Sequence, residues 1–145
     1  SKFKSTENVK KGAYVLAYGD ENATEKCEVI LIATGSEVHL ALAAREQLLT
    51  LGIKARVVSA PCLEWFLQQP ISYQEQVLPK KIRARVSIEA GIAQSWYQFI
   101  GDAGVPVSLE HFGASASAPV LFKEFGFTVE NVVKAAKESI SKAHG

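Results

Sequence analysis

Six polar residues stand where an α/β chain keeps its chemistry: Ser36, Glu37, Ser59, Glu89, Glu110 and His111 each close or follow a short apolar run. In open α/β sheets, the positions just beyond the carboxyl ends of strands are where ligands and reacting groups gather. Glu89 and His111 follow neighbouring runs, and a carboxylate beside an imidazole can work as a general acid–base pair. The competing reading is structural: Glu89 accepts backbone N–H groups in its own turn, and His111 packs in an interface. Gly35-Ser36-Glu37 offers a second possibility, because unpaired N–H groups at a helix start attract anions. With one glycine, and neither Gly-x-Gly-x-x-Gly nor Gly-Lys-Ser/Thr, the anion signal is weak and the turn reads first as a plain strand-to-helix junction. The candidate anion or ligand site is therefore Gly35, Ser36, Glu37, Glu89 and His111, with no catalytic, cofactor-binding or metal residue assigned.

Other nucleophile and metal patterns are missing from the sequence. His39 falls on the helix after the second apolar run and His144 near the end, so no two histidines share i, i+3 or i, i+4 spacing, and no cysteine lies near one. Gly-x-Ser-x-Gly does not occur. Cys27 and Cys62 lack Cys-x-x-Cys spacing and read as buried thiols outside any disulfide, which fits a cytoplasmic compartment. No basic sequence neighbour of Cys62 would activate its thiol.

Sixteen basic and fifteen acidic residues leave a net charge of +1, unlike the footprint of a nucleic-acid binder. Lys2, Lys4, Lys10 and Lys11 read as a solvated arm. No apolar stretch approaches the roughly 20 residues of a membrane span, and the start lacks a signal core. A soluble chain with no nucleic-acid or membrane partner is expected. At 145 residues it has the size of one domain, divided here into an arm over 1–11 and a folded domain over 12–145.

The elements that must position these residues follow from periodicity. Val29-Ile-Leu-Ile32 is apolar at consecutive positions, so it should be a central strand covered on both faces. Ser36 is expected to cap the next helix, with Glu37 at the positive end of its dipole. Val38, Ala41, Leu42, Leu48 and Leu49 form the apolar stripe of that helix, Glu37, Arg45 and Glu46 its wet side, and Gly52 its stop. Strands are predicted at 12–18, 54–59, 82–88 and 105–109, the first antiparallel because its connection is too short for a crossover. Two short helices, broken by Pro70 and closed by Pro79, fill 63–78, with Ser72 as a cap and Trp65, Phe66 and Leu67 as packing residues. An aromatic helix runs through Trp96, Tyr97 and Phe99. Pro119 starts a short helix ended by Gly126, and Thr128 caps a last one with the stripe Val129, Val132, Val133 and Ala136. Alternating strands and helices predict an α/β fold with a mostly parallel sheet.

Five blocks in order, Ile32-Ala-Thr-Gly-Ser-Glu-Val38, Ala55-Arg-Val-Val-Ser59 with Pro61, Leu78-Pro79, Ala84-Arg-Val-Ser-Ile-Glu-Ala-Gly-Ile92 with Trp96, and Phe112-Gly113 through Phe125-Gly-Phe-Thr128, resemble the C-terminal domain of transketolase. More distantly, they resemble the same domain in 1-deoxyxylulose-phosphate synthase and in the β-subunit of 2-oxo-acid dehydrogenases. The resemblance implies a three-layer α/β/α sandwich around a five-stranded mixed sheet whose first strand is antiparallel. It also implies two upstream thiamine-diphosphate domains that transfer a two-carbon ketol unit between sugar phosphates, with a divalent metal, Mg or Ca, on the diphosphate. The third domain then serves assembly of a homodimer.

The departures bear on function. The cofactor signature Gly-Asp-Gly with a later Asn pair is broken at Gly101-Asp102-Ala103-Gly104, and Ala114 to Pro119 is longer than the family's Gly-x-Ser-Ala-Pro. The family's catalytic groups belong to segments before residue 1, so the chain alone is expected to hold no cofactor. The absence of methionine agrees with an excised C-terminal fragment. Two other readings stay open: a self-sufficient enzyme using Glu89 and His111, and a small-ligand module, for a nucleotide or phosphate, at Ser36.

Overall fold

The computed structural model describes residues 10–19, 27–89, 97–108 and 128–144. Strand β1 (Tyr14–Ala17) leads to β2 (Val29–Ala33), a 3₁₀ turn (Gly35–Glu37) and helix α1 (Val38–Thr50). Strand β3 (Ala55–Ser59) is followed by the short helices α2 (Leu63–Leu67) and α3 (Ile71–Val77). Then come β4 (Arg85–Glu89), α4 (Tyr97–Ile100), β5 (Val105–Ser108) and α5 (Val129–His144). The strands make one five-stranded sheet in the order β1-β3-β2-β4-β5.

Strand β2 lies at the centre, parallel to β3 and β4, and all five of its residues are buried. Successive side chains point to opposite faces, so Val29, Leu31 and Ala33 meet α1 and α5 while Ile30 and Ile32 meet α2, α3 and α4. That gives the three layers expected from the unbroken apolar run. Each of these large side chains contributes about 1.5–3 kcal/mol by leaving water.

Strand β1 is antiparallel as expected, but to β3 rather than to its sequence neighbour β2, pairing Tyr14 with Ser59. The incoming chain at Lys10–Ala13 therefore lies at the carboxyl end of the parallel strands. Helix α5 finishes at the other pole, where Arg83, just ahead of β4, donates to the Ala143 carbonyl at 3.0 Å.

Helix α1 ends as Gly52 predicts. Gly52 sits at φ 79° and donates to the Leu49 carbonyl at 3.0 Å, while Ile53 donates to Leu48 at 2.9 Å, the paired bonds of a Schellman stop. Its beginning differs from the expectation. Ser36 is not the cap: a 3₁₀ turn comes first, Thr34 precedes it in extended conformation, and the residue at the cap of α1 is Glu37. Nor are Glu37 and Arg45 on a wet side, since they are 4% and 8% exposed, whereas Leu49 is exposed.

Ser72 is likewise not a cap; Pro70 stands at that position of α3 and Ser72 is exposed. Of Trp65, Phe66 and Leu67, only Phe66 packs in the core. Strand β4 starts at Arg85 rather than Ile82. For α5, Thr128 accepts the Asn131 N–H at 3.2 Å and Val132, Val133 and Ala136 are buried, as the stripe requires. Trp96, Leu109, Glu110, His111, Ser115, Ser117, Pro119 and Gly126, together with residues 1–9, lie outside the described residues.

Candidate functional site

The turn after β2 is built by Thr34 and Glu37. The Glu37 N–H donates to the Thr34 carbonyl at 2.8 Å, and the Thr34 hydroxyl donates to the Glu37 carboxylate at 3.0 Å. The spacing is that of a capping box, but neither residue's side chain caps the helix it precedes; the hydroxyl–carboxylate bond is what gives the buried Glu37 a local structural role. Gly35 is exposed, with open space where a Cβ would stand. Glu89 is half-buried at the last position of β4, in register with Ser108. Ala33 pairs with Ile88, so the Gly35–Glu37 turn and Glu89 follow adjacent strands at the same end of the sheet. The pairing of Glu89 with His111 falls outside the described residues. Ser59 is buried at the close of β3.

Of the remaining histidines, His39 is exposed on α1 and His144 exposed at the end of α5. Among the described residues, no three His, Cys, Asp or Glu side chains converge as metal ligands. Cys27 and Cys62 are both half-buried, and the Cys27 thiol donates to the Val29 carbonyl at 2.9 Å.

The broken cofactor signature can be tested on its own geometry. Gly101 has φ 74°, Gly104 donates back to the Gly101 carbonyl at 3.2 Å, and a Cβ on Gly104 would run into Ile100. Asp102 points outward and accepts from Arg83 at 3.3 and 3.4 Å. This is a tight connection between α4 and β5 whose only carboxylate is turned to solvent and paired, so it does not fit a diphosphate–metal site.

What sequence reasoning missed is a set of arginines committed to backbone carbonyls. Arg45 on α1 donates through Nε and Nη2 to the Tyr18 carbonyl at 2.9 and 2.6 Å. Arg56 on β3, 4% exposed, donates to the carbonyls of Gln76 and Val77 at 3.1 and 2.8 Å, with its guanidinium 5.4 Å from the Tyr18 ring centre. Arg85 donates to the carbonyls of Ile82 (3.0 Å), Phe99 (2.6 Å), Leu78 (3.2 Å) and Pro79 (2.8 Å). Burial lowers the Arg85 pKa from its usual value, and the Glu75 carboxylate partly opposes the shift. A basic residue inside an apolar strand is the available signal: Ala-Arg-Val occurs at the start of both β3 and β4. These guanidinium bonds to backbone carbonyls fix the end of α3 and the start of β4.

Beside Arg85 a cleft of about 310 Å³ opens between the α2–α3 hairpin and α4, lined by Phe66, Leu67, Ile71, Leu78, Lys80 and Phe99 among others. Its walls are mostly apolar.

The transketolase-like C-terminal domain family model matches residues 12–128. The transketolase of Mycobacterium leprae is 52% identical over 134 residues, covering 92% of this chain and 19% of its own length. Transketolase 1 of Escherichia coli is 52% identical over 131 residues, 90% of this chain and 19% of its own. Among solved structures, transketolase from Leishmania mexicana superposes with a TM-score of 0.84 at 37% identity, covering 98% of this chain and 20% of that one. Transketolase from Pichia stipitis gives 0.83 at 36%, covering 95% and 19%. The chain thus spans about a fifth of the length of the relatives it matches. With the β1-β3-β2-β4-β5 sheet and five motif blocks in agreement, the chain belongs to the transketolase C-terminal domain family.

Proposed function

We propose that this chain is the assembly domain of a thiamine-diphosphate-dependent transketolase, and that the chemistry is carried by two domains preceding it in the parent protein. The parent moves a two-carbon ketol unit between sugar phosphates as a cytoplasmic homodimer, with Mg or Ca holding the cofactor diphosphate. The observation that carries this reading is the match over 12–128 to a domain that makes up about a fifth of its relatives. Supporting it, the polar groups best placed for chemistry are tied into the fold: Glu37 to Thr34, Arg56 and Arg85 to carbonyls, Asp102 to Arg83. On this reading residues 1–11 form the connecting arm and 12–145 the domain.

Ketol transfer from a ketose phosphate to an aldose phosphate should be undetectable with this chain alone. Calorimetry with thiamine diphosphate and Mg should show no saturable heat. Turnover, or cofactor binding, by the chain alone overturns the proposal. Within the same reading Gly35, Ser36, Glu37, Glu89 and His111 hold no regulatory ligand; saturable binding of a nucleotide or sugar phosphate that is lost on making Ser36 bulky would reinstate the ligand-module reading.

A further inference from the structure

Three large apolar side chains within seven residues stand in solvent on the α2–α3 hairpin: Trp65 at 47%, Leu67 at 48% and Ile71 at 71% exposure. Apolar residues scattered singly over a surface are ordinary, but a cluster marks a covered site. Leu67 and Ile71 also line the apolar cleft, so the cluster includes a socket as well as a flat patch.

The same hairpin receives the incoming polypeptide. Cys62, one residue before α2, donates its N–H to the Gly12 carbonyl at 2.9 Å. A Cβ on Gly12 would collide with the Cys62 carbonyl and the Phe66 backbone. The Tyr73 hydroxyl on α3 donates to the Ala13 carbonyl at 2.8 Å, and the Lys11 ammonium lies 4.9 Å from the Tyr73 ring centre. Residues 11–13 are strapped to the hairpin before β1 begins.

We propose that the exposed face of the α2–α3 hairpin, with Trp65, Leu67 and Ile71, is the docking surface for the domain that precedes this one in the parent chain. The inference rests on the assembly-domain reading above. It commits to that occupant because the relatives are about five times longer and the family is a C-terminal domain, so their preceding chain reaches it where Lys11–Ala13 lie on this hairpin. Helices α1 and α5 pack on the opposite face of the sheet. Tethering supplies a high effective concentration, so a modest apolar contact is enough to hold two domains together. The partner surface should be apolar, with one projecting aliphatic or aromatic side chain for the cleft.

Hydroxyl-radical footprinting of the whole transketolase and of this chain alone reads the contact. Labelling of Trp65, Leu67 and Ile71 should be largely lost in the whole protein. Joint Leu67→Glu and Ile71→Glu substitution, at exposed positions that leave the fold intact by circular dichroism, should restore labelling at Trp65. Unchanged labelling at these three residues, with protection elsewhere on the domain, overturns the surface and leaves the assembly reading standing. No protection anywhere on the domain overturns both. Protection of the same residues in the chain alone, with sedimentation as a dimer, assigns the surface to a second copy and overturns the proposal.

Discussion

At the scale of single residues, one hydroxyl ties three segments together. Ser139 on α5 is fully buried; its oxygen accepts the Arg85 N–H at 2.7 Å and donates to the Ala103 carbonyl at 2.6 Å. Strand β5 begins opposite Val86, one residue too late to pair with Arg85, and the serine stands in for the missing ladder bond. Ser139→Ala should cost about 1–3 kcal/mol in urea unfolding, because it strands a buried donor and a buried acceptor. Tyr73 gives a pH signature. Burial, and secondarily Tyr18, raise its pKa above the ordinary 10.0. A phenol whose folded pKa is raised contributes stability that is complete below its unfolded pKa and is lost as the pH climbs through the folded one. Stability should therefore fall above pH 10.0, and Tyr73→Phe should flatten that fall while losing about 1 kcal/mol at neutral pH with the bond to Ala13. None of these roles was legible in the sequence. A serine or arginine whose partner lies tens of residues away carries no local mark; Arg45 reads as a wet-side residue until the Tyr18 carbonyl is placed over it.

Elements were the most legible scale, because their signals are local. The all-apolar run 29–32 forced a strand covered on both faces, and Gly52 forced the end of α1. Gly52→Ala should destabilise by about 1 kcal/mol or somewhat more in thermal or urea unfolding, since alanine resists φ 79°. Open space around the Cβ means no steric penalty adds to it. Helix starts were harder to read. Thr34 and Ser36 are both capping residue types, and the Glu37 carboxylate accepts from the Thr34 hydroxyl. In the α2–α3 hairpin, apolar residues were assigned to packing by type, whereas Trp65 and Leu67 face outward: an exposed apolar surface looks the same in sequence as a core. The candidate site was legible only in part: Gly35, Glu37 and Glu89 do close or follow adjacent strands, but the Thr34–Glu37 hydrogen bond carries no mark that sets Thr34 apart from Ser36 in the sequence.

For the molecule as a whole, burial falls off from β2 outward, and local stability should follow it. Native-state hydrogen exchange should be slowest at the amides of β2 and β3 and faster in the half-buried β1; slowest exchange in β1 instead would contradict a core centred on β2. The antiparallel first strand also separates the two ends of the described fold, with Lys10–Gly12 at one pole of the sheet and the close of α5 at the other. An affinity handle fused after His144 would thus leave from the far pole, so molecules captured through it on a sensor chip would present Lys11–Ala13 outward to whatever flows past.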